Sequence, residues 1–226
     1  MLSSDVRPTS VDFIAMAAHE LRGPATVIAG AAETLRDLLD LDELRPEARD
    51  LLTMMIRKGQ HLRRLAMDVL SSAYLERGSL PLSMEALPLR PIIGWAVDAG
   101  GGGASSVRVE CDPWVRANVD ADHLEQIVTN LVSNALEHGA APVVVTAEAT
   151  VQGDGATVVV RDFGKGVDPD DAPLLFDRFS ALAARTSTST GLGLSIARGL
   201  ARAMGGDLTY RRSDPGSSFV LTLAAA

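Results

Sequence analysis

His19 and Glu20 stand side by side in a stretch whose apolar residues recur at helical spacing. Ala17 and Leu21, two residues either side of the histidine, belong to that apolar seam. At about 100° per residue the imidazole therefore points away from the seam, into solvent. Pro24 lies inside the same continuous pattern. A proline there removes the hydrogen bond to the Glu20 carbonyl and kinks the helix, and Gly23 loosens the turn further. A helix weakened beside an exposed His-Glu pair suits a reactive histidine that other domains must reach; a harmless kink would carry the same residues. Zinc-protease chemistry is excluded here, because His-Glu-x-x-His needs a second histidine where Gly23 stands. His61, His123 and His138 are scattered without ligand spacing.

Three further groups could bind a ligand. Asn130 and Asn134, spaced i, i+4 among Ile127, Val128, Leu131, Val132 and Ala135, share one helix face. Asparagine is a poor helix former, and its carbonyl is a hard oxygen donor. It suits Mg²⁺, which takes few protein ligands and keeps phosphate and water for the rest. Two polar residues filling a local backbone gap would read the same way. Asp162 follows the β-branched run 157–161 and opens Asp-Phe-Gly-Lys-Gly. The strand delivers a carboxylate to a sheet edge, and Gly164 and Gly166 let backbone approach something closely. A carboxylate can accept a hydrogen bond from an exocyclic amine such as that of adenine, though a tight turn explains the glycines too. Thr190, Gly191, Leu192 and Gly193 open a helix carrying Ile196 and Leu200. Backbone N–H groups at a helix N-terminus, with its dipole, favour phosphate. Residues 180–189, rich in Ala, Ser and Thr, read as a mobile loop able to close over a ligand.

Competing motifs fail. Gly-x4-Gly-Lys-Ser/Thr is absent, and Gly-x-Gly-x-x-Gly would need glycine where Ile196 stands. Gly193-Leu194-Ser195-Ile196-Ala197 approximates a nucleophile elbow, but it follows a loop and not a strand.

Two kinds of element must position these residues. Thr9 and Asp12 resemble a capping box; Phe13, Ala17, Leu21, Pro24, Ile28, Ala31, Leu35 and Leu38 then form a heptad-like seam. Pro46 suits the first position of a second helix with the stripe Leu51, Met55, Leu62, Leu65 and Val69, ending at Gly78. One seam on each of two helices cannot bury a core alone: a second copy of the hairpin would complete a four-helix bundle, whereas packing of both seams on the rest of the same chain would leave the same pattern. Pro81 and Pro88, with Pro91 just beyond, mark residues 79–90 as a linker and the entry to another unit. Beyond it, strands over 107–110, 115–118, 143–147, 157–161, 207–211 and 219–223 alternate with helices over 91–98, from Asp120 to 138, and over 194–204. This is an α+β chain: a helical hairpin over 1–80, then an α/β sandwich over 81–226 with helices on one face of its sheet.

The 226 residues are 46% hydrophobic with a net charge of −8, enough apolar material for a core. The acidic balance argues against nucleic acid or an anionic membrane surface as main partner. The single cysteine, Cys111, excludes an internal disulfide and a cysteine-rich metal site. The longest apolar stretches, such as 13–18 and 27–32, fall far short of the about 20 residues of a membrane span, and the N-terminus lacks a signal-peptide pattern. A cytoplasmic chain without membrane contact of its own is expected.

In order along the chain, these motifs resemble the catalytic core of bacterial sensor histidine kinases. His19 to Pro24 resembles the phosphoacceptor box, Asn130 to Ala135 the asparagine box, and Asp162 to Gly166 the first glycine box. Phe176-Asp177-Arg178-Phe179 resembles the phenylalanine box, and Gly191 to Leu194 the second glycine box. The resemblance implies a homodimeric phosphotransfer hairpin and an ATP-binding domain of the gyrase and heat-shock-chaperone type. In it Asp162 would hold the adenine amine, Asn130 and Asn134 Mg²⁺, and Arg178 with Gly191, Leu192 and Gly193 the phosphates of ATP. It further implies attack by His19 on the γ-phosphorus with help from Glu20, and transfer to an aspartate of a response regulator receiver domain. A phosphotransfer or scaffold module with little ATP turnover is the alternative.

Two departures from the family pattern stand out. Gly23 replaces the Thr or Asn thought to position water for dephosphorylating the regulator, so poor phosphatase activity is expected. Glu137 stands where a basic residue commonly contacts phosphate, so weak ATP affinity is expected.

Overall fold

The computed structural model describes residues 22–23, 25–36, 45–101, 106–150, 155–178 and 191–225. The chain divides into two compact units, Met1–Leu80 and Pro81–Ala226.

In the first unit, residues 25–36 form helix α1 and Pro46–Arg77 form α2. Pro46 occupies the first turn, where its missing N–H costs nothing. Gly78 ends the helix in the left-handed conformation with its N–H returned to the last turn. The two helices meet through small residues. Ala25, Ala29 and Ala32 are buried on α1, and Ala32 clusters with Leu52 and Ile56 of α2. A Cβ placed on Gly59 would stand only 3.0 Å from Ala29 Cβ, so the backbones approach closely. Gln60 Nε2 also donates to Glu33 Oε1 at 2.9 Å.

The heptad-like seam lies on a different face. Ile28 and Leu35 are each 48% exposed, and Leu51 and Met55 are also exposed. At 100° per residue, the row Ile28-Ala31-Leu35 is rotated by about 90° from the row Ala25-Ala29-Ala32. The hairpin therefore closes with the alanine face of α1 on Leu52 and Ile56 of α2 and leaves Ile28, Leu35, Leu51 and Met55 uncovered. Thr9, Asp12, Phe13, Ala17, Leu21, Pro24 and Leu38 of the expected helix lie outside the described residues.

The second unit is a mixed sheet with helices packed side by side. Its main sheet has the order β2-β4-β5-β7-β6, built from Val107–Cys111, Val143–Ala149, Gly155–Asp162, Ser217–Ala224 and Asp207–Arg212. Only β2 and β4 run parallel. Helix α4, Ala121–His138, packs between α3, Leu89–Ala99, and α5, Gly193–Ala203. The core is aliphatic, with Leu89, Ile93, Leu124, Ile127, Leu131, Ile196, Leu200 and Leu221 fully enclosed.

One expectation is corrected. Residues 79–90 are not all linker: Glu85–Pro88 forms strand β1, antiparallel to β3, Arg116–Val119. A four-residue strand that ends in proline carries no alternating β-branched pattern, and only its partner reveals it. Pro88 then leads directly into α3, whose Leu89 N–H donates to Val115 O at 3.0 Å.

Candidate nucleotide site

Alternation along β5 decides the environment of Asp162. Ala156, Val158 and Val160 point into the core, and period two places Asp162 next in the same row. The residue is only 4% exposed. A carboxylate is rarely buried so deeply without partners, and Asp162 Oδ1 accepts the Gly164 N–H at 2.8 Å.

The C-terminus of α4 closes over this carboxylate. Asp120 caps the other end, accepting the His123 N–H at 3.1 Å through Oδ1 and the Ser83 N–H at 2.8 Å through Oδ2. Gly139 follows the last turn, and a Cβ on it would lie 2.5 Å from Asp162 Cβ and 2.6 Å from Ala135 O. Only a residue without a side chain fits. Phe163 N–H donates to Ala140 O at 3.2 Å, which ties the loop after β5 to this same corner.

The loop from Gly164 to Val167 is held from β6. Val167 N–H donates to Tyr210 Oη at 3.1 Å, and Arg212 Nη1 donates to Val167 O at 2.8 Å. Gly166 sits within this span at φ 71°. In the sequence Gly139 reads as a helix stop, and neither Tyr210 nor Arg212 stands out. Nothing local marks them, because their partners lie more than 40 residues away.

The asparagine pair is on α4, with Asn130 buried and Asn134 partly exposed. Asn130 Nδ2 donates to Gly193 O at 3.3 Å, so the first residue of α5 lies against the asparagine. Gly191, two residues earlier, has φ 69°, the left-handed region that favours glycine. The structure thus brings Asn130 and Gly193 together, and separately packs Asp162 with Gly139 and Gly164. Arg178 is exposed. Ser133 Oγ donates to Glu137 Oε1 at 3.1 Å along α4. His19, Glu20, Thr190 and the loop expected over 180–189 lie outside the described residues.

Together these features define a nucleotide-binding type of α/β sandwich following a helical hairpin. Residues 119–226 match the family of histidine kinase-, DNA gyrase B- and HSP90-like ATPases. Residues 10–78 match the His Kinase A (phospho-acceptor) domain. The chain belongs to the sensor histidine kinase family. It is 30% identical over 222 residues to the signal transduction histidine-protein kinase AfsQ2 of Streptomyces coelicolor, covering 93% of this chain and 41% of that protein. It is 32% identical over 218 residues to the sensor protein KdpD of Escherichia coli, again covering 93% of this chain but 24% of the relative. The chain thus spans less than half the length of either.

Among solved structures, full-length ShkA in complex with AMPPNP aligns with a TM-score of 0.64 at 26% identity, covering 98% of this chain and 47% of that one. The Acinetobacter baumannii histidine kinase AdeS shares the fold, with a TM-score of 0.59 at 20% identity over 91% of this chain and 97% of its own. No helix among the described residues is long and apolar enough to cross a membrane.

Proposed function

We propose that the chain is an ATP-dependent autokinase core that phosphorylates His19 and passes the phosphoryl group to an aspartate of a response regulator receiver domain. The observation that carries this reading is Asp162, a carboxylate in the core-facing row of β5 that is packed between two glycines. Its acceptor oxygens suit the exocyclic amine of adenine, and a strand end in a sheet fixes them better than a loop. Glycines at the start of α5 supply N–H donors for the phosphates, and Arg178 adds charge. The domains follow the two units, with dimerisation and phosphotransfer in 1–80 and ATP binding in 81–226.

Asn130 and Asn134 fit Mg²⁺ by their donor chemistry, as neutral amide oxygens that leave most of the coordination shell to phosphate and water. A magnesium ion bound there supplies neutralisation of the phosphate charge. The chain's own residues do the rest. The unprotonated ring nitrogen of His19 attacks the γ-phosphorus in line, forming an N–P bond as the bond to the β–γ bridging oxygen breaks and ADP leaves. Glu20 orients the ring and accepts the proton from its other nitrogen. A receiver carboxylate then attacks the same phosphorus, forming an O–P bond as the N–P bond breaks and the His19 imidazole leaves.

The uncovered seam of Ile28, Leu35, Leu51 and Met55 supports a homodimer that joins two hairpins into a four-helix bundle. A reducing, cytoplasmic setting suits the lone Cys111, whose thiol burial pushes up in pKa, away from reactivity.

A phosphotransfer module with little ATP turnover is the second reading, and Glu137 is the residue that favours it. Intact mass after incubation with Mg-ATP separates the two. An acid-labile phosphate on the wild-type chain and none on His19→Ala is the result expected of the autokinase. Unmodified wild-type protein that also fails to bind ATP sinks it.

A further inference from the structure

Arg198 lies on α5, five residues after the glycine that meets Asn130. Its guanidinium is engaged on two sides. Towards the sheet, Nε donates to Asp207 Oδ1 at 3.0 Å and Nη2 to Oδ2 at 3.2 Å, a forked pair. On the other side, its Cζ stands 4.8 Å from the centroid of the Phe176 ring.

Asp207 is a fixed anchor. It is the first residue of β6 and pairs with Thr222 of β7. Its N–H donates to Thr222 Oγ1 at 3.1 Å, and that hydroxyl donates back to Asp207 O at 3.2 Å. Arg202, one turn beyond Arg198, adds a third bond to Asp207 Oδ1 at 3.0 Å. The sheet therefore holds Asp207, Asp207 holds Arg198, and the guanidinium plane holds Phe176. Phe176 lies within a short turn closed by the Asp177 N–H, which donates to Leu174 O at 3.2 Å, and it precedes Arg178 by two residues.

We propose that Arg198 is a positioning residue for the nucleotide phosphates: anchored through Asp207 to the sheet, its guanidinium fixes the Phe176 ring and so sets where Arg178 meets the phosphates. The inference rests on the reading above, in which Arg178 serves bound ATP. One helix then sets both sides of the phosphate site, with its N-terminus against Asn130 and Arg198 against Phe176. Lysine cannot replace this arginine, since an ammonium offers neither the two-pronged bond nor a planar face.

The test uses the full chain and titrates Mg-ATP by calorimetry and adenosine by nuclear magnetic resonance. Arg198→Met weakens Mg-ATP about tenfold and leaves adenosine within about twofold of wild type, because the adenine end at Asp162 is untouched. Phe176→Ala matches that loss, and the double variant is no worse than either alone, as expected when two residues act through one contact. Arg198→Lys and Asp207→Asn give partial losses of the same kind and carry the test if Arg198→Met does not fold. Unchanged Mg-ATP binding in these variants, equal loss of adenosine and ATP, or multiplying effects in the double variant overturn the proposal. A wild-type chain that binds no Mg-ATP overturns the nucleotide reading itself. If the wild type binds and Asp162→Asn does not, while the Arg198 variants bind normally, only the positioning role is lost.

Discussion

Gly139 and Asp162 sit so close that a methyl group on the first would stand 2.5 Å from the Cβ and 2.6 Å from the Cγ of the second. The end of α4 and the end of β5 are thus pressed together at the carboxylate proposed to read adenine. Gly139→Ala must displace Asp162 or lift the helix end. The expected cost is about 1–3 kcal/mol, as for overpacking elsewhere, with weaker Mg-ATP binding. Urea unfolding and nucleotide titration of the variant measure both, and an alanine variant as stable and as tight as wild type would refute the contact.

The exposed seam predicts an association surface. A charge placed there, as in Leu35→Glu or Met55→Glu, should separate the protomers while leaving the Ala32, Leu52 and Ile56 contact within each hairpin. A buried leucine or methionine contributes about 1.5–3 kcal/mol and counts twice in a symmetric dimer, so the dissociation constant should rise about a hundredfold or more. Sedimentation equilibrium reads this directly; an unchanged mass would remove the seam from the interface.

Asp207 should shape the acid limb of stability. Hydrogen bonds from Arg198, more than those from Arg202 and the Leu208 N–H, hold its carboxyl well below the usual carboxylate range. As pH falls below about 4, the unfolded chain takes up this proton before the folded one does, so folding weakens progressively. The contribution is present above the unfolded-state value and disappears only as pH drops through the depressed folded value. Asp207→Asn should be less stable at neutral pH and show a shallower loss between about pH 4 and pH 2. Denaturant midpoints across that range provide the check, and parallel curves for the two proteins would contradict it.

Glu137 offers a gain-of-binding test. Its carboxylate is exposed and bonded to Ser133 on the helix that carries both asparagines. Glu137→Lys exchanges repulsion of the triphosphate for attraction, and Mg-ATP affinity should improve about tenfold at low salt, less at high salt. Calorimetry at two ionic strengths tests it, with no change meaning that the carboxylate stands away from the phosphates.

Helix α4 is legible in the sequence residue by residue. Asp120 as cap, an apolar row and Gly139 as stop are local signals acting within a few residues. The strands from 143 and 157 are legible for the same reason, through β-branched runs bounded by turns. Strand β1 is not, since Glu85–Pro88 becomes a strand only when β3, about 30 residues later, pairs with it.

The sequence by itself determined the order of the motifs, the helix caps and the presence of an apolar seam, because each depends on neighbours one or two turns away. Only the tertiary structure decided which face each hairpin helix turns to its partner, and it chose the alanines because small side chains let two backbones approach. It also decided that Gly139 makes room for Asp162, that Tyr210 and Arg212 hold the Val167 backbone, and that Asp207 reaches Phe176 through Arg198. Apart from Asp207 and Arg198, which are nine residues apart on a helix and the strand that follows it, those contacts join residues separated by more than 20 positions, so chain folding and close packing create them and no local pattern encodes them.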